Sequence, residues 1–113
     1  MYYIEADISF QNGIEMESFG FHYISRYTVD YINNRVEIEI SSNKSKSDWL
    51  AKEYFSPFVN FYELDSAPDF NTDPTHFILK RLVTKPTTVF YGKTVQKDYE
   101  ITTVQNIKDG DNK

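Results

Sequence analysis

The sequence predicts an α+β domain, mainly an antiparallel β-sheet of five to six strands with two short helices packed on it. Three observations carry this. Tyr3 to Phe10 and Tyr27 to Ile40 alternate apolar and polar side chains, the period of a half-buried strand. Turn residues at Asn12-Gly13 and Asn33-Asn34 interrupt the alternating runs. Two later segments carry helix-start signals, one at Ser47-Asp48 and one at Asp73-Pro74. With 113 residues, no internal repeat and no linker, residues 1–113 read as one domain with a polar tail at 105–113. A chain of this size buries about 65% of its unfolded surface, enough for one core.

Taken in order, the first strand places Ile4, Ala6, Ile8 and Phe10 inward and Tyr3, Glu5, Asp7 and Ser9 outward. A two-residue Asn12-Gly13 turn would pair Phe10 with Glu15. A three-residue loop with Gly13 left-handed pairs Phe10 with Ile14 and Ile8 with Met16, and keeps apolar with apolar. Apolar parity then changes, from even at Ile14 and Met16 to odd at Phe19, Phe21 and Tyr23. That requires a bulge, expected near Glu17-Ser18 and eased by Gly20. The odd parity should run on through Tyr27, Val29 and Tyr31.

Asn33-Asn34 is expected to supply both positive-φ positions of a type I′ turn. It would set Tyr31 opposite Val36, Val29 opposite Ile38 and Tyr27 opposite Ile40. Asn34→Gly should then be neutral or stabilising. Ser41 to Ser47 is a polar loop, and Ser47 is the expected cap of a helix from about Asp48 to Phe55 that buries Trp49 or Leu50 with Tyr54. Phe58 to Leu64 reads as a strand. Asp73 caps a second helix with Pro74 at its first position. Its stripe is Phe77, Ile78, Arg81 and Leu82, with Leu79 and Val83 beside it, and Lys85-Pro86 closes it. Thr87 to Val95 and Asp98 to Val104 are further strand candidates.

Composition narrows the chemistry. There is no Cys, so disulfides and thiolate sites are excluded. The N-terminus lacks a basic and an apolar region, so synthesis in the cytoplasm without a signal peptide is expected. No run approaches the roughly 20 apolar residues of a membrane span. The net charge of −5 sits within residues 1–43, which argues against nucleic acid as the main partner. Aromatic residues make up 17% of the chain, more than one small core needs, and the surplus Tyr suits a protein interface or a sugar platform.

No motif states a reaction. His22 and His76 form no metal-ligand pair and are expected to be structural. The four glycines stand alone, without a phosphate loop, and Gly-x-Ser-x-Gly is absent. No catalytic, cofactor-binding or metal residue is therefore assigned. The interface candidates are the outward acids Glu5, Asp7, Glu15, Glu17, Asp30, Glu37 and Glu39, with Tyr3 and Tyr62. In the expected registers Asp7 lies opposite Glu17, and Asp30 opposite Glu37. Such acids form a solvated face, a docking surface for a basic patch or, less in keeping with flat strand faces, a calcium site or an acid–base pair. Trp49, Tyr54 and Tyr62 would make a carbohydrate platform if exposed.

The segment Tyr23 to Leu50 contains an Ile-Ser-x-Tyr-x-Val-x-Tyr strand, a tight turn, a Val-Glu-Ile-Glu-Ile-Ser-Ser strand and a Ser-rich loop into a Trp helix. It resembles small accessory structural proteins of tailed bacteriophages. The resemblance implies a virion component of the tail, baseplate or head–tail region, present in many copies. It supplies no catalytic residue. The expected function is thus a non-enzymatic structural or assembly protein that contacts other structural proteins or its own copies, with neither nucleic acid nor membrane as partner. The alternative is a small carbohydrate-binding module using Trp49 and Tyr.

Overall fold

A computed structural model describes residues 1–51 and 57–97. They form one antiparallel sheet of five strands: β1 (Tyr2–Asn12), β2 (Glu15–Asp30), β3 (Arg35–Asn43), β4 (Phe58–Leu64) and β5 (Val95–Lys97). The spatial order is β4-β3-β2-β1-β5. Two helices accompany it, α1 (Lys46–Ala51) and α2 (Pro74–Thr84). The expected α+β class and mainly antiparallel sheet are present.

The core lies between α2 and one face of the sheet. Ile78, Leu79, Leu82 and Val83 of α2 meet Ile4, Ile8, Phe10, Phe19, Val36, Ile38, Ile40 and Leu64. α2 starts where the sequence places it. Asp73 is the N-cap, its carboxylate accepting from Thr75 N at 3.0 Å, and Pro74 fills the first turn. Hydrogen bonds from Thr75 hold the Asp73 carboxyl below its ordinary pKa. The helix ends before Lys85-Pro86, as expected.

The opposite face holds a smaller aromatic cluster. Phe21 lies 5.1 Å from Tyr3 and 5.1 Å from Trp49, ring centre to ring centre, and Tyr23 lies 5.8 Å from Trp49. Tyr3, assigned outward by alternation, is buried here. α1 carries Trp49 over this cluster and starts two residues earlier than expected. Ser45, not Ser47, is its cap, with Ser45 Oγ accepting from Asp48 N at 3.1 Å. Leu50 is exposed, and the expected continuation of the helix through Tyr54 lies outside the described residues.

Both hairpin registers differ from the expected ones. At the first, Asn12 pairs with Glu15, so the loop is Gly13-Ile14. Gly13 is left-handed at φ 68°, as expected, but only this first central position is positive, the pattern of a type II′ turn. The register puts Phe19 opposite Ile8 and Glu17 opposite Phe10. Phe19 then packs against Phe10 and Phe58, while Ile14 and Met16 are left exposed. Phe19 finds Phe10 and Phe58 to close around it in the core, contacts that a hairpin tip does not offer to Ile14 and Met16.

At the second hairpin Asp30 pairs with Arg35, and the loop has four residues, 31–34. Only Asn34 has positive φ, at 55°. Asp30 explains the longer loop. Its Oδ1 accepts from Ile32 N and Asn33 N, both at 3.1 Å, and Asn33 Nδ2 donates to Oδ2 at 2.7 Å. An Asp that bonds the backbone ahead of it builds a turn without a second left-handed residue. Val29 therefore faces Val36 and Tyr27 faces Ile38. Tyr31 leaves the strand and stacks on Phe70 at 4.7 Å.

β2 changes parity twice rather than once. The first irregularity is in β1, where Ala6 and Asp7 together oppose Gly20. The second is at Ser25 in β2, between the pairs Ile24–Ile40 and Arg26–Glu39. Between them Phe21 and Tyr23 face the aromatic cluster; beyond Ser25, Tyr27 and Val29 face the core side. One bulge at Glu17-Ser18 cannot produce this exchange, and the strand there is regular.

Thr87 to Val95 is not a strand over its length. Residues 86–92 form turns that insert Phe90 fully into the core, and of the described residues only Val95–Lys97 joins the sheet. Thr88 Oγ1 donates to Leu82 O at 2.7 Å and Gly92 N to Val83 O at 2.8 Å, which folds the segment back on the end of α2. Gly92 has φ 81°. The candidates Asp98 to Val104 and the tail at 105–113 lie outside the described residues.

Candidate functional site

The sequence pointed to an acidic outward surface, and the structure divides it. Glu5, Asp7, Glu15 and Glu37 are exposed. Glu17, Asp30 and Glu39 are engaged within the chain. Lys44 Nζ donates to Glu17 Oε2 at 2.8 Å, and Asn12 Nδ2 donates to its Oε1, which lowers the Glu17 pKa. Asp30 holds its turn, and the Asn33 side chain lowers its pKa. Glu39 binds Arg26 at 3.0 Å and Ser25 Oγ at 2.7 Å. The expected opposed acids are not opposed: Glu17 faces Phe10, Asp30 faces Arg35, and Glu37 faces Thr28 and Glu63. The two-residue and three-residue loops assumed for the hairpins produced those pairings.

Tyr62 is half-buried on the core face, its ring edge-on to Phe90 at 5.6 Å, and burial raises its pKa. Trp49 is half-buried on the other face against Phe21 and Tyr23. Trp49 and Tyr62 are therefore not brought together, and Tyr54 lies outside the described residues.

His22 is the most deeply buried polar side chain among the described residues. It is wholly buried in the centre of the sheet, next to Phe21, which is also wholly buried on the opposite face. Its Nε2 lies 2.8 Å from Ala6 O. A carbonyl only accepts, so Nε2 carries the proton. Nδ1 lies 2.6 Å from Ser42 Oγ, and in the neutral tautomer it accepts from that hydroxyl. Ala6 belongs to the β1 bulge, where the ladder is broken, and His22 bonds its carbonyl. Burial lowers the His22 pKa, and the rings of Phe10 and Phe90 stand edge-on to it. It is a satisfied structural histidine. His76 stacks on Tyr2 at 4.4 Å in the first turn of α2.

Gly20 sits against the same bulge. Its N–H donates to Lys44 O at 3.0 Å, and a Cβ there would lie 3.0 Å from that oxygen and 3.1 Å from Asp7 Oδ1. Among the described residues no group of three or more His, Asp or Glu is placed to hold a metal ion, and no helix is long and apolar enough to cross a membrane.

Sequence reasoning assigned Phe58 to Leu64 as a strand but missed its position. β4 is one end of the sheet, paired to β3 along one side only among the described residues. All seven of its residues pair with β3 without a bulge. On the outward face it carries Val59, Phe61 and Glu63, and Phe61 is 71% exposed. Its sole charge, Glu63, is ion-paired with Arg35, which lowers the Glu63 pKa and raises that of Arg35. The strand has no Pro and no Lys. Edge strands that stay unpaired carry such features to blunt them. β5, at the other end, spans three described residues, Val95–Lys97. A spread of exposed Phe and Val within a strand was the available signal, but strand order is a tertiary fact. No family model matches the chain, and neither a curated protein nor a solved structure matches it.

Proposed function

We propose that this chain is a non-enzymatic structural or assembly protein that works through protein–protein contact, with the β4 edge as its main contact surface. One observation carries the reading. A seven-residue edge strand lies open among the described residues, free of bulges, nearly uncharged and bearing an exposed Phe. Its free backbone N–H and C=O groups are a template for another strand, and its alternate side chains offer specificity. The exposed Ile14, Ile32 and Phe70 add apolar contact points at the loops. Of the acids that remain exposed, Glu37 neighbours β4, whereas Glu5, Asp7 and Glu15 lie on β1 and β2. A place in a virion rests on the resemblance of Tyr23 to Leu50 alone.

The test is the size at which the full chain travels in an extract of the cells that make it. Velocity sedimentation should place it in an assembly well above the 13.3 kDa of the single chain. Phe61→Lys should return it to the slow fractions. A native chain that sediments as the free monomer would overturn the reading.

A further inference from the structure

We propose that β4 pairs antiparallel with β4 of a second copy of this chain, with Phe61 on the two-fold axis, joining two five-stranded sheets into one. The inference rests on the assembly reading and names its partner.

Strand length selects the occupant. A second copy offers two sheet ends among the described residues, β4 with seven residues and β5 with three. Pairing β4 with the described residues of β5 would leave most of the β4 edge unmatched and set Lys97 against it. Pairing β4 with itself can match every residue. The pleat then restricts the register. Val59, Phe61 and Glu63 share the outward face with Ser41, Glu39 and Glu37; Phe58, Asn60, Tyr62 and Leu64 share the core face with Ser42, Ile40, Ile38 and Val36. A shift that set an outward residue against a core-facing one would break the continuity of both layers. Among the antiparallel registers that respect the faces, only the one centred on Phe61 uses all seven residues. It sets Phe58 against Leu64, Val59 against Glu63 and Asn60 against Tyr62.

Charge agrees with that register. Each Glu63 meets Val59 of the second copy rather than its own equivalent, so no like charges are opposed across the strands. Glu63 is already paired with Arg35, and Glu39, which neighbours Phe61 on β3, is paired with Arg26. The two Phe61 rings come side by side on the outward face. Phe58 and Tyr62, only partly covered in one chain, are extended by Leu64 and Asn60 of the other. The pairing is isologous, so it closes as a dimer rather than propagating. Strand pairing over seven residues buries less than the roughly 1,200–2,000 Å² of a standard interface, so the dimer should be weak and concentration-dependent.

The experiment uses the purified full chain in sedimentation equilibrium over a wide concentration range, beside Phe61→Lys and single-cysteine variants. The chain has no native Cys, so a cysteine placed by substitution reports alone. The native chain should form a reversible dimer, and Phe61→Lys should raise its dissociation constant at least about tenfold by facing two ammonium groups across the axis. Phe61→Cys should cross-link under mild oxidation, and Ile14→Cys, at the far hairpin, should not. Circular dichroism checks that each variant is folded. A native monomer at every concentration would overturn the pairing, as would a dimer indifferent to Phe61→Lys or one that cross-links equally at both cysteines. None of these results touches the assembly reading, which stands or falls on the sedimentation of the chain in extract.

Discussion

The centre of the sheet and its β4 margin treat backbone polarity in opposite ways. At the centre, the bulge in β1 frees a carbonyl and the chain answers it internally: His22 takes Ala6 O, Ser42 takes His22, and Gly20 lets Lys44 O approach. At the margin, β4 presents a row of backbone groups that no described residue meets. The carbonyl freed in the middle is met from within the chain, although the Asn43 side-chain oxygen is buried without a partner; the regular edge is left open among the described residues. A site is therefore found by asking where hydrogen bonds are left over, rather than where the ladder looks distorted.

Substitutions at the centre should have the largest effects on stability. His22→Ala removes a buried ring and leaves Ala6 O and Ser42 Oγ without their partner, and should cost about 3 kcal/mol in urea unfolding. Gly20→Ala drives a methyl against a backbone oxygen and should cost about 2 kcal/mol. A neutral outcome for both would mean that the centre is not the closed region described.

Acid should act on the same place. The folded-state pKa of His22 lies below its ordinary value of 6.5 because burial disfavours the charged ring, while the Ala6 bond and the Asp7 charge oppose that shift. The unfolded chain thus takes up the proton first as pH falls. The stability from keeping His22 neutral is whole above pH 6.5 and is lost progressively below it, toward the folded-state pKa. Unfolding free energies at pH 7.5 and 5.5 should differ in the native chain. The difference should shrink in His22→Leu.

Smaller effects are expected toward the margin. Asn34→Gly relieves a left-handed backbone but loses the bond from Ala67 N to Asn34 Oδ1 at 2.9 Å, so it should destabilise by about 1 kcal/mol. In a type I′ turn the same change would be neutral or stabilising. Phe61→Lys, on an exposed position, should change monomer stability by less than about 0.5 kcal/mol. That small cost, set beside its expected effect on association, sharpens the contrast between the two regions.

Local signals in the sequence were legible where one residue settles the matter. Asp73-Pro74 fixes the start of α2, Lys85-Pro86 its end, and the run Phe58 to Leu64, rich in Phe and Tyr, is a strand over the expected length. The hairpin registers were not legible, because each depends on a partner elsewhere. Phe19 is drawn inward by Phe10 and Phe58, and the Asp30 carboxylate lengthens its own loop. Tyr3 defeated simple alternation, since a sheet covered on both faces buries both parities. Phe90 did so as well, because a turn rather than a strand delivers it to the core. Of the candidate surface, the exposed acids could be read from the chain, whereas the open edge required the strand order.

Amide hydrogen exchange of the native chain at several concentrations tests the central claim most directly. The alternate amides of residues 58–64 that point to the open edge should gain protection as concentration rises, while those around Ala6, Gly20 and His22 stay unchanged. Exchange in β4 that is independent of concentration, or protection that rises at the centre instead, would contradict it.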